Sequence, residues 1–186
     1  MENIIEKVRK FVEEECNKHS FGNQIFIHHF IPVVNYAKEL VKKLGGDLEV
    51  IEIAAWLHDI GSIVYNRKDH HITGAKIAVE KLREFGYSEE KIELVKRCIF
   101  NHRGFVGNDL ESVEEKIIAE ADCMAFFDNL EGYFLWTIDV DNIKNQKLIR
   151  KSIKQKTLNK WKQLSLESKD LIRLKFEATM LLFGED

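Results

Sequence analysis

The chain has 186 residues, 45% of them apolar and 32% charged, with a formal net charge of −3. That length and apolar content suit one domain with a core of its own. The slightly acidic balance removes any bulk electrostatic reason to seek nucleic acid or an anionic membrane, which leaves only local patches for such contacts.

Apolar residues recur at spacings of three and four, and there are one proline and ten glycines. This pattern predicts an all-α fold, a single domain over 1–186. The first helix is expected from about Asn3 to Lys18, burying Ile4, Ile5, Val8, Phe11 and Val12, with a break at Phe21-Gly22-Asn23. His19, at its end, reads as a cation facing the negative pole of the helix. Met1 to Lys10 lacks the apolar stretch of a signal peptide, and no segment approaches the roughly 20 apolar residues of a membrane span.

A second helix is predicted from Ile25 to Leu44, burying Val33, Tyr36, Ala37, Leu40, Val41 and Leu44, and ending at Gly45-Gly46. Pro32 lacks a backbone donor, so this helix either begins near His29 or kinks there. Asp47 is a cap for a third helix that ends in His58-Asp59, with Gly61 expected to supply the stop. A loop from Ser62 to Asp69 holds Arg67 and Lys68, and a fourth helix follows from about His70 to Phe85. After the Gly86-Tyr87-Ser88 turn, Lys91 stands where a capping box would place glutamate. The fifth helix, Glu89 to about Asn101, ends in His102-Arg103-Gly104.

Beyond a loop from Phe105 to Leu110, a sixth helix is predicted from Glu111 to Phe127, with Ile117, Ile118, Ala121, Met124 and Ala125 inward. Asp122, flanked by Ala119, Ala121 and Cys123, suits a paired or metal-bound carboxylate better than a solvated one. Further on, Phe126, Phe127, Tyr133, Phe134, Leu135 and Trp136 form an aromatic cluster of the kind found in cores and subunit contacts, compatible with a homodimer. Between Lys144 and Lys162 lie eight basic residues and no acidic one. This run reads as a helix with Ile149, Ile153, Leu158 and Trp161 inward; a solvated face is its default meaning, a cationic wall or nucleic-acid patch its functional one. Asp139 and Asp141 open a calcium-loop pattern that Lys144 and Arg150 then break. Cys16, Cys98 and Cys123 are scattered without C-x-x-C spacing, which fits a reducing, cytoplasmic setting.

Five of the seven histidines stand at or near predicted helix ends. His29, His58, Asp59 and Asp122 offer mixed nitrogen and oxygen ligands from three helices, the set expected for a borderline divalent metal with open positions. A structural zinc site would use closely spaced cysteines instead. His70 or His71, with His102, could hold a second ion sharing Asp59. Cys98, four residues before His102, reads as packing.

This order of residues resembles the HD-domain superfamily of metal-dependent phosphohydrolases. Members usually carry valine four residues after the first histidine and alanine eight after; His29 gives Val33 and Ala37, whereas His28 gives Pro32 and Tyr36. Members often read His, three residues, then Gly-Ala, which His70 before Gly74-Ala75 satisfies and His71 does not. Asp122 matches the family's Ala-Asp ending. The resemblance covers about residues 25 to 127, leaving a C-terminal helical extension over about 128–186. It departs at Pro32, where many members have arginine, and at Gly61-Ser62, where the ppGpp-hydrolysing branch places Glu-Asp.

The resemblance implies one or two divalent ions (Mn, Fe, Co, Ni or Zn) on His29, His58, Asp59 and Asp122, with His70 and His102 for the second. It also implies metal-activated water attacking a phosphate ester of a nucleotide or related small metabolite. Asp59 would be ligand and catalytic residue, orienting the water or accepting its proton. Arg103, Lys96, Arg67 and Lys68 are candidates for binding the phosphate. Neither a membrane nor nucleic acid is expected as partner. The alternatives are a di-iron oxygenase, since one HD branch uses four histidines and two aspartates, and a non-catalytic interaction protein that keeps only the fold.

Overall fold

The computed structural model describes residues 3–103 and 110–184. Gly104 and the predicted loop through residue 109 lie outside the described residues. All regular structure among the described residues is helical. None of the described helices is long and apolar enough to cross a membrane. Internal contacts divide the chain into two units, residues 1–122 and 123–186.

In the first unit, α1 (Ile4–Asn17) is capped by Asn3, whose side chain accepts from the Ile5 N–H at 3.0 Å. Its inner face is Val8, Val12 and Cys16. The predicted Ile4, Ile5 and Phe11 are only half-buried, and the Lys81 ammonium lies 4.9 Å above the Phe11 ring, placing that ring at the edge of the core rather than inside it.

The second predicted helix does not begin at His29. A short α2 (Gly22–Ile25) runs into a π-helical turn, Phe26–Phe30, and on into α3 (Ile31–Leu44), with Pro32 in its first turn. Within the turn the Ile31 N–H reaches back five residues to the Phe26 carbonyl. An α-helix would press the proline ring against the carbonyl four residues earlier; the wider turn gives it room.

Asp47 caps α4 (Leu48–Leu57), accepting from the N–H groups of Glu49 at 3.0 Å and Val50 at 3.2 Å. From Val50 to Leu57 every residue is buried, and α4 packs against α1, α3 and α7 (Glu89–Asn101). A helix apolar on all sides belongs in a core, where each side chain such as Ile51, Ile53 or Leu57 contributes about 1.5–3 kcal/mol. The one charge in this stretch, Glu52, is neutralised by Lys38 at 2.6 Å. Lys91 bridges Asp47 and Glu49, each at 2.9 Å, so the lysine in the capping-box position joins the starts of α4 and α7.

The chain turns from α4 into a short α5 (Ile60–Val64) and then α6 (His70–Glu84). Gly61 does not act as the expected stop. It lies inside α5, and a Cβ there would fall 2.3 Å from the His70 carbonyl oxygen and 2.5 Å from Thr73 Oγ1. Glycine is required because α5 and the start of α6 touch at this point. The sixth predicted helix is α8 (Val113–Ala125). It opens with a capping box: Ser112 Oγ accepts from the Glu115 N–H at 3.2 Å while Glu115 Oε2 accepts from the Ser112 N–H at 2.9 Å. Glu115 also accepts from Asn101 Nδ2 at 2.6 Å, tying the end of α7 to the start of α8. All five predicted inward residues of α8 are buried.

In the second unit a 3₁₀ turn, Phe126–Asp128, leads to α9 (Leu130–Asp139), α10 (Gln146–Gln163) and α11 (Leu166–Phe183). Asn129, Asn145 and Ser165 cap the three in turn. Phe126 and Phe127 are buried, Phe126 meeting the Tyr133 ring edge-on at 4.5 Å. Trp161 stacks on Phe176 at 4.0 Å. Ile149 and Ile153 are buried as predicted, but Leu158 and Trp161 are only half-buried; Thr157 takes the third inward place, its hydroxyl donating to the Ile153 carbonyl at 2.8 Å.

Gly61→Ala tests the contact between α5 and α6. Overpacking of this kind costs about 1–3 kcal/mol, so thermal unfolding should show a lowered Tm, and the change should also displace His70.

Candidate metal centre

Four histidines and two aspartates converge in the first unit. His29 comes from the π-helical turn, His58 from the end of α4, Asp59 from the residue before α5, His70 from the start of α6, His102 from the end of α7 and Asp122 from α8. His29 Nε2 lies 3.0 Å from His58 Nε2, 3.2 Å from Asp59 Oδ2 and 3.6 Å from Asp122 Oδ1. His58 Nε2 is 3.7 Å from Asp59 Oδ2 and 4.0 Å from Asp122 Oδ1. On the other side of Asp59, Oδ1 lies 3.0 Å from His70 Nε2 and 3.5 Å from His102 Nε2, and these two nitrogens are 3.1 Å apart. Asp59 therefore faces one group of ligand atoms with each oxygen.

The backbone sets the direction of three of these rings. His58 Nδ1 lies 2.8 Å from the Ala55 carbonyl, His70 Nδ1 2.7 Å from that of Arg67 and His102 Nδ1 2.5 Å from that of Ile99, each three residues back. A carbonyl can only accept, so each Nδ1 carries the hydrogen and donates it. Each neutral ring then turns a bare Nε2 lone pair toward Asp59. The His70 and His102 lone pairs face each other, which is repulsive unless a proton or a cation lies between them. Asp59 Oδ1 is buried and has no aligned hydrogen-bond donor, although His70 Nε2 is close.

These features fit a metal. Atoms bound to one ion at about 2.0–2.2 Å stand roughly 3–4 Å from one another, the range seen here. Two triads keep all their ligand atoms within 4.8 Å of one another: His29 with His58 and Asp59, and Asp59 with His70 and His102.

Electrostatics favours the unprotonated ligand forms at the heart of the cluster. Burial pushes His58 down to about 4 despite the opposing fields of Asp59 and Asp122. Burial alone would raise Asp59, but the field of His58 and contacts with the rings of His102, His29 and His70 hold it well below the usual carboxylate range. For His70, burial works downward and is outweighed by contact with Asp59, so its pKa is raised.

The alternatives left by adjacent histidines take different positions. His28 is exposed, whereas His29 enters the cluster. His71 packs its ring 5.4 Å from Phe100, outside the set. Of the candidate phosphate binders, Arg103 donates to the Lys68 carbonyl at 3.1 Å and lies near enough to His70 and His71 for its charge to act on both. Arg67 and Lys68 are exposed on the loop before His70. Lys96 pairs with Glu93 at 2.8 Å on an exposed face of α7 rather than with the cluster. Cys98 is buried, and burial raises its thiol pKa, as packing requires.

In metal-stripped protein, NMR of the imidazole nitrogens should find His58 neutral and Nδ1-protonated down to about pH 4, with His70 taking its proton at higher pH than His58. The unfolded chain protonates His58 near its ordinary ~6.5, so this residue's contribution to stability is lost as pH falls from there toward about 4. His70 acts oppositely: its contribution is full below ~6.5 and is lost as pH rises through its raised value. A His58 that titrates at its ordinary value would contradict the burial described.

Residues 26–132 match the HD domain family. An "Uncharacterized protein" of Clostridium beijerinckii is 39% identical over 102 residues, 53% of this chain and 58% of that protein. Ribonuclease Y of Enterococcus faecalis is 30% identical over 132 residues, 68% of this chain but 24% of that protein. Ribonuclease Y of Symbiobacterium thermophilum is 33% identical over 108 residues, 57% of this chain and 19% of that protein. The chain thus spans less than two thirds of the length of each of these relatives. No solved structure matches it. The family match covers more than half of the chain and includes all six clustered residues from His29 to Asp122, and the chain belongs to the HD domain family.

Proposed function

We propose that this protein is a metal-dependent phosphohydrolase that cleaves a phosphate ester of a nucleotide or related small phosphorylated metabolite. The observation that carries the reading is the setting of Asp59, with one oxygen against His29 and His58 and the other against His70 and His102. A divalent cation held there by His29, His58, Asp59, His70 and His102 would supply Lewis acidity and make a water beside it more acidic.

The chain's own residues supply the rest. His58, His70 and His102 are held in the ligating tautomer by backbone carbonyls, so no ring has to reorient as the site fills. Asp59 remains ionised and acts as the acceptor that orients a water or takes its proton. Arg103, steadied by the Lys68 carbonyl, keeps further guanidinium N–H groups for phosphoryl oxygens, and Arg67 and Lys68 add positive field at the same loop. The name of the ribonuclease Y relatives supports a phosphodiester as the bond cleaved.

Purified protein should contain a divalent metal, and a panel of nucleotides and phosphosugars with added manganese, iron, cobalt, nickel or zinc should reveal turnover. His58→Ala and Asp59→Ala should each lose both bound metal and activity, by on the order of a hundredfold or more. Full activity in metal-depleted enzyme would refute the reading.

A second reading draws on the same geometry. Four histidines and two aspartates are brought together, the ligand count of a di-iron oxygenase. Iron-loaded protein that consumes oxygen and shows a metal-dependent optical spectrum, while releasing no phosphate from the panel, would favour the oxygenase.

A further inference from the structure

The metal centre leaves the basic run from Lys144 to Lys162 unaccounted for. Helix α10 carries seven of its eight cations and no acidic residue. Part of that charge is taken up locally: Lys156 pairs with Asp141 at 3.6 Å, Arg150 donates to the Leu182 carbonyl at 2.6 Å and Lys154 to that of Gly184 at 2.5 Å. Lys144, Lys147, Lys151 and Lys162 are different. All four are exposed and form no ion pair with a described residue.

At about 100° per residue, Lys147, Lys151, Gln155, Asn159 and Lys162 fall on one side of α10, opposite the buried Ile149, Ile153 and Thr157. The stripe is about 22 Å long at 1.5 Å per residue. Gln155 and Asn159, exposed and hydrogen-bonded to each other at 2.8 Å, fill its middle with donors and acceptors. Like charges four residues apart, as at Lys147 and Lys151, repel along a helix, so a bound polyanion relieves a strain that the helix otherwise carries.

We propose that this stripe docks the phosphate backbone of nucleic acid without reading its bases. A membrane is a poorer fit, because a helix lying in a bilayer interface turns an apolar face to the lipid, whereas the apolar face of α10 is turned inward and its outer side offers only Leu148 and the half-buried Leu158 among its cations and amides. An acidic protein is a poorer fit too, since such interfaces depend on aromatic or large apolar anchors, and the stripe carries no aromatic residue and only Leu148 and the half-buried Leu158 as apolar ones. The chain's net charge of −3 does not forbid the contact, because at physiological salt a charge acts over only about 8 Å. The surface is independent of the phosphohydrolase reading, and its test separates the two.

The test is fluorescence anisotropy of labelled oligouridylate with the full chain across a potassium chloride series. Lys147→Gln/Lys151→Gln/Lys162→Gln should weaken binding about tenfold or more and reduce the log–log salt slope by about 2, roughly 0.7 for each phosphate no longer neutralised. Lys18→Gln/Lys43→Gln/Lys76→Gln, a charge-matched control in the first unit, should bind like wild type. Metal content and turnover of a small phosphate ester should match wild type in both variants. Equal affinity and slope for wild type and the stripe variant, or equal weakening in the control, would overturn the proposal. So would stripe-dependent binding to phosphatidylserine vesicles with none to oligouridylate, which would assign the surface to a membrane.

Discussion

The first unit depends on one repeated contact, an imidazole Nδ1–H donated to the carbonyl three residues behind it. At His58, His70 and His102 this bond settles the tautomer and the ring direction together. Left alone, these inward lone pairs crowd one another and the Asp59 carboxylate. The helices hold them there because the surrounding core is apolar and closely packed, with α4 buried on every side. The stability of the core sustains an arrangement that is electrostatically unfavourable unless a proton or a cation lies among the lone pairs.

The carboxylates add a different constraint. Asp59 follows His58 directly, yet its oxygens serve opposite sides of the cluster. That is possible because the α4 helix ends at His58 and the backbone of Asp59 leaves helical geometry, φ −109° and ψ 11°, before α5 begins. Asp122 reaches the cluster from the interior of α8, whose start is fixed by Glu115 in contact with Asn101, the neighbour of His102. Two residues of the cluster far apart in sequence are thus positioned through one buried glutamate.

Much of this was legible in the sequence, for identifiable reasons. Long helices with apolar residues at three and four, such as α4, α7 and α8, declare themselves by period, and Asp47 declares its cap. The choice of His29 over His28 rests on the family resemblance, whose valine and alanine spacing Val33 and Ala37 meet, and the structure has His29 in the cluster and His28 exposed. Other features left no readable trace. At five residues α5 is too short to show a period, so its sequence read as loop. Gly61 looked like a helix stop because the residues that crowd it come from α6, a contact that spacing along the chain does not reveal. The Ser112-Glu115 box was available in the letters and marks the true start of α8 better than Glu111. Lys91 shows the opposite case, a departure from a local motif explained by partners in another helix.

The π-helical turn at Phe26–Phe30 has a geometric consequence of its own. It inserts slack between two stretches whose phases are set separately, α3 by its core face and α2 by the close approach of Gly22 to the end of α1. Removing one residue there would close the turn to α-helical geometry and leave the phase upstream nearly unchanged, because the wider turn is what absorbs the extra residue. The first histidine of the cluster thus sits on the one π-helical turn among the described residues, at the point where the chain takes up the residue that separates the two phases.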